Sequence, residues 1–133
     1  MGIFKKLDNS IKFSIALREV IMPKISIIVH ELKNSLNKIE LENVNDKALI
    51  QDLIVKLEEL YNDLDDLSFD LKEENKKIGI EKLNNIILIK INILIGKDDK
   101  FNKLHKKSLI TNDVTQIINF IRENLLELKK KLK

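Results

Sequence analysis

Six leucines, Leu53, Leu57, Leu60, Leu64, Leu67 and Leu71, recur at intervals of 4,3,4,3,4. That spacing matches the turn of an α-helix packed along a near-parallel partner, whereas a strand would scatter the six over both of its faces. It predicts a long helix near 47–77 with one buried stripe. Two other seams follow the same rule: Ile25, Val29, Leu32, Leu36 and Ile39 early in the chain, and Val114, Ile118, Ile121, Leu125, Leu128 and Leu132 at its end. Helices are therefore expected near 11–43 and 113–131. Pro23 interrupts the first, as a kink or as the opening of a new helix, because proline has no N–H and its ring clashes one turn back.

Asn43-Val44-Asn45-Asp46 reads as a short turn in which Asn45 or Asp46 caps the helix that follows. So few residues between two amphipathic helices imply an antiparallel hairpin with facing seams. From Leu83 to Ile95 the periodicity fails, since the apolar run Ile86 to Ile95 is broken only by Lys90 and Asn92. Alternation at Ile89, Ile91, Ile93 and Ile95 favours a strand, while the lack of a second convincing strand favours a helix near 81–95. Lys97 to Ile110 reads as a loop, and Asp113 with Gln116 resembles a capping-box start for the last helix.

The expected architecture is all-α: a four-helix bundle built on the hairpin. The 133 residues make one domain, with the hairpin in 11–78 and further helices in 79–133. Only 3 Gly and 1 Pro leave too few turn residues for a many-stranded β protein. The hairpin's seams need further helices to cover them. A homodimer is expected, in which a second copy supplies these; residues 81–95 and 113–131, folding back, would instead close a monomeric bundle.

Composition removes several classes of function. With no Cys there is no disulfide framework, thiolate zinc site or cysteine nucleophile, and two histidines alone cannot build a structural metal site. Gly2, Gly79 and Gly96 lie too far apart for a phosphate-binding loop. No cofactor is expected. Residues 1–66 carry 9 Lys or Arg against 12 acids, and 67–133 carry 15 against 9, so the basic excess is C-terminal, densest at Lys97 to Lys107 and in the tail from Lys129. One Tyr, no Trp and two Arg offer little base stacking or guanine readout, which disfavours nucleic acid as a partner. No segment has the roughly 18 consecutive apolar residues of a membrane span, and no signal-peptide core or myristoylation pattern opens the chain. The expectation is a soluble cytoplasmic protein.

His30 follows the seam residue Val29, about 100° round the helix, so its imidazole flanks the packed face and reaches solvent. Glu31 is adjacent, and Asn34 lies one turn on along the same face. An exposed imidazole with a carboxylate and an amide nearby has the parts of a nucleophilic histidine site. The other charged features read as solvated surface: His105 sits among Lys103, Lys106 and Lys107, and Glu58-Glu59 and Asp65-Asp66 are neighbours that diverge on a helix.

The string His30-Glu31-Leu32-Lys33-Asn34-Ser35-Leu36 resembles the H-box of two-component sensor histidine kinases, agreeing at six of seven places. Asn62-Asp63-Leu64-Asp65-Asp66-Leu67-Ser68 is similar to the acidic, leucine-spaced end of the second helix in the same dimerisation and phosphotransfer hairpin. The resemblance covers about 25–75. It implies that His30 accepts phosphate, that Glu31 acts as proton acceptor, and that Asn34 positions water for phosphatase chemistry. It also implies a response-regulator or kinase partner.

Two departures limit what carries over. Ser35 stands where the family has proline, and the hairpin is shorter by roughly a dozen residues, nearly one heptad per helix. Gln116 to Asn124 faintly resembles the N-box helix of the kinase ATP-binding domain, but the glycine-rich boxes that would enclose ATP are missing, so self-phosphorylation is not expected. The sequence therefore points to a truncated or diverged phosphotransfer and dimerisation module, with a non-catalytic helical protein–protein interaction domain as the alternative.

Overall fold

A computed structural model describes residues 11–38, 44–72, 76–103 and 110–131. Ile39, Asn43, His105, Leu132, Lys133 and the opening ten residues lie outside them. The chain is all-α, and the described residues form four helical rods. Rod α1 covers 11–38, with a π-helical turn at Leu17–Ile21 leading into Met22–Lys38. Rod α2 is Val44–Lys72; α3 joins Lys76–Asn85, a second π turn at Ile86–Lys90, and Ile91–Asn102; α4 is Ile110–Lys131.

The three predicted seams line one core. All six α2 leucines are buried, with Ile25, Val29 and Leu32 from α1 and Val114, Ile118, Ile121, Leu125 and Leu128 from α4. Leu36 packs against this cluster half-buried. Cross-helix partners give the directions. Along α1 the residues Ser14, Arg18 and Lys33 meet α2 at Ser68 (3.0 Å), Asp65 (3.0 Å) and Glu58 (3.6 Å), so the two rods run antiparallel. Along α2 the acids Asp70, Asp63 and Asp52 pair with Lys82 (2.6 Å), Lys90 (3.8 Å) and Lys97 of α3, which is antiparallel again. Thr115 of α4 bonds Asp98 of α3, and Lys24 of α1 lies 4.1 Å from the Phe120 ring of α4. Each rod therefore covers its neighbours' seams, and burying these seams does not itself require a second chain.

Residues 83–95 are helical, and no strand occurs among the described residues. The buried members are Leu83, Ile86, Ile87, Ile91 and Leu94, a helical set, while Ile89 and Ile93 from the alternating series face out. The helix near 81–95 is present and the strand reading is set aside, because the run supplies two helix faces at once. The loop expected at Lys97 to Ile110 is also corrected: α3 continues to Asn102, and 104–109 lie outside the described residues. Asp98 and Phe101 extend the seam from Leu94 at 4,3 spacing, but a carboxylate at a core position hid the continuation. At the start of α4, Asp113 is inside the first turn instead of capping it, because the helix begins at Ile110. Likewise Asn45 and Asp46 are within α2, not ahead of it.

Both π turns have one cause in the seam. Leu17, Ile21 and Ile25 are four apart twice in succession, as are Leu83, Ile87 and Ile91, where a heptad would alternate four with three. A π turn accommodates the extra residue, and its i+5 bonds are present: Met22 N–H to the Leu17 carbonyl and Ile91 N–H to the Ile86 carbonyl. Pro23 fits the first, since its ring presses towards the carbonyl of Glu19, within the widened turn.

Candidate functional site

Ser26, His30 and Lys33 are spaced four and three apart, so they share a stripe of α1 next to the buried Ile25 and Val29. The opposing part of α2 presents Glu58, Tyr61 and Asn62. Together these residues line a groove of about 400 Å³ between the two rods. His30 is exposed within it. One side of the groove is tied across by the ion pair of Lys33 Nζ with Glu58 Oε1, 3.6 Å, both ends about half exposed.

Glu31 points elsewhere. It is half-buried and lines a different groove, of about 390 Å³, between α1 and α4, with Lys24, Asp113 and Phe120. Asn34 is exposed and lines neither groove. The 100° step of the helix that carries His30 to one flank of the seam carries Glu31 to the other. His30 is thus brought together with Lys33, Ser26 and Asn62 instead of with Glu31. Asn62 lies within the second string that resembles the kinase hairpin, whereas Ser26 and Tyr61 are visible only once the α1–α2 register is known.

At the position where the family carries proline, Ser35 donates its hydroxyl to the Glu31 carbonyl at 3.0 Å, the i−4 pattern that keeps a short polar side chain within a helix. The α-helix is continuous past His30, and the nearest irregularity is the π turn before Pro23. The faint N-box string lies on α4, where Asn124 donates to the Phe120 carbonyl at 2.7 Å and so is tied to its own helix. The paired acids are separated as expected: Glu58 meets Lys33, Glu59 meets Lys56, and Asp65 meets Arg18.

Among the described residues no group of three or more His, Asp or Glu is placed to hold a metal ion, and no helix is long and apolar enough to cross a membrane. No family model, curated protein or solved structure matches this chain.

Proposed function

We propose that the protein is a histidine-phosphotransfer module of a two-component-like signalling system, in which His30 takes a phosphoryl group from one partner protein and passes it to another. One observation carries this: the exposed imidazole of His30 lies in an open groove with the Lys33 ammonium on the same stripe of helix. A phosphoryl group on a ring nitrogen adds negative charge, which solvent and a nearby cation stabilise and a buried site could not. In the transfer, the lone pair of one ring nitrogen forms the N–P bond. The donor's bond to phosphorus breaks and its electron pair leaves with the donor, and the other ring nitrogen carries the resulting positive charge or releases its proton to water.

Glu31 faces the other groove, so the proton-acceptor role implied by the resemblance does not carry this proposal. Kinase or response-regulator proteins are the partners that this chemistry needs, since the sequence has no phosphate-binding loop of its own. The second reading, a non-catalytic helical interaction protein, rests on that separation of His30 from Glu31.

Phosphoramidate, a small phosphoryl donor, tests the proposal, with the product followed by phosphorus NMR and acid lability. The expected product is an acid-labile phosphohistidine that persists in His105→Gln and disappears in His30→Gln. Labelling that survives in His30→Gln, or that divides evenly between the two histidines, rejects the assignment in favour of the non-catalytic reading.

A further inference from the structure

The groove between α1 and α2 holds one fixed charge of each sign beside His30. Of the described residues that line it, Lys33 is the only one with an ammonium and Glu58 the only one with a carboxylate, while Ser26, Tyr61 and Asn62 add uncharged polar groups. Helical side chains lean towards the N-terminus of their own helix, so Lys33 reaches back over the turn that carries His30. There its ammonium meets Glu58 Oε1 of α2 at 3.6 Å. Arg18 and Asp65, which tie the same two rods nearer the start of α1, are closer at 3.0 Å. The charges next to Glu58 on its own helix, Lys56 and Glu59, are engaged with each other.

A phosphoryl group on His30 therefore brings a second anion to a lysine that already holds one. An exposed pair of single charges is worth little, so Lys33 can leave Glu58 at small cost. The phosphoryl group carries more charge and more acceptor oxygens than a carboxylate and is the stronger partner. Position favours it too, since His30 and Lys33 are three apart on one helix and their side chains are neighbours, whereas the pair with Glu58 must span two rods.

We infer that Glu58 restrains the phosphoryl site at His30: it holds Lys33 in the unphosphorylated groove and yields it when a phosphoryl group is present, so a tie between α1 and α2 is exchanged for a contact within α1. The inference rests on the reading of His30 as the phosphoryl acceptor and adds the regulation of that site. Glu58 acts through Lys33 and is a positioning residue, since its carboxylate repels the group that the lysine would hold. How readily the group is taken and kept is then set by an acid on α2 and not by Glu31, the acid next to His30 in the sequence.

Inorganic phosphate, titrated into the full chain at constant ionic strength, tests the exchange without any transfer step. Binding is followed by the ring-proton NMR signals of His30, assigned by their absence from His30→Gln. Glu58→Gln is expected to bind phosphate roughly two- to fivefold more tightly than the parent, and Lys33→Met at least as much more weakly. In Lys33→Met/Glu58→Gln the gain from the Glu58 change is expected to fall below about twofold, because the lysine it releases is missing. Both positions are exposed, so the variants are expected to melt with the parent. A gain that is undiminished without Lys33 means simple repulsion and overturns the exchange. Signals that phosphate leaves unmoved in the parent and in Glu58→Gln overturn it as well.

Phosphoramidate labelling separates the exchange from the reading beneath it. Faster labelling of Glu58→Gln, by a factor similar to its gain in phosphate binding, supports both. Equal labelling rates in the parent, Glu58→Gln and Lys33→Met overturn the exchange and leave His30 as the acceptor. Phosphate binding that follows Lys33 and Glu58 in a protein that never labels supports the exchange in an anion-binding groove and rejects the transfer.

Discussion

Helices α2 and α3 lie side by side and contribute to the same core, yet they are built by different rules. In α2 the six leucines keep strict 4,3 alternation, every one is buried, and the exposed apolar residues Val55 and Phe69 stand singly among charges. In α3 the seam skips a residue at a π turn, takes a carboxylate into the core at Asp98, and leaves apolar residues outside. The comparison teaches that strict periodicity marks where the fold is held, and that departures from it mark where a helix has other constraints. It also separates two kinds of apolar residue that composition alone would merge: those on the seam, and those beside it.

The sharpest way to break the comparison is to delete one residue from each helix. Removing Tyr61 turns the following leucines about 100° away from the core, and the expected outcome is a chain without a cooperative melt by circular dichroism. Removing Leu88 from the π turn makes the α3 seam regular through Ile86, so the variant is expected to fold with stability within about 1 kcal/mol of the parent.

Truncation of side chains gives a smaller contrast. Leu64→Ala in α2 should lower stability by about 2–5 kcal/mol, read as a lower urea midpoint at unchanged slope. Leu88→Ala in α3, at an exposed position, should stay within about 0.5 kcal/mol of the parent. Equal losses at the two positions would show that Leu88 is part of the core.

The smallest effect concerns the carboxylate in the α3 seam. Burial pushes the Asp98 carboxyl above its usual range, and the hydrogen bonds from Thr115 (2.9 Å) and Asn102 only partly oppose this. A raised folded-state pKa means that the folded protein holds this proton more tightly than the unfolded one. The contribution is then fully favourable below the ordinary carboxylate range and is lost as pH rises through the raised value. Asp98→Asn, which keeps a hydrogen-bonding side chain and cannot ionise, should therefore melt higher than the parent near neutral pH, with the gap closing in acid. A gap that instead widens in acid would mean that the ionised carboxylate is stabilising.

How much of this was legible in the sequence divides along the same line. The helical class and the three seams followed from spacing, because a repeat of 3.5 residues has no second interpretation over almost three heptads. The α3 segment stayed ambiguous between helix and strand, since an unbroken apolar run satisfies both periods. Its continuation to Asn102 was missed because Asp98 counts as a surface residue until Thr115 is known to face it. At the site, the exposure of His30 followed from its offset from Val29. The partition of Glu31 into another groove depends on where α4 packs, which no spacing within α1 can reveal.

The two π turns also have a geometric consequence. Arg18, in the first, meets Asp65, and Lys90, in the second, meets Asp63, so both lie at the same height on either side of α2. Each acts as a dislocation in an otherwise regular lattice of side chains. Above and below it the core contacts stay in step, but the outward positions slip by one residue. The surface of α1 or α3 is therefore not one straight column but two columns offset at the π turn, nearly equal in length in α3 and unequal in α1, where Met22–Lys38 is much the longer part. A straight helix laid along either rod can stay in register with only one column at a time.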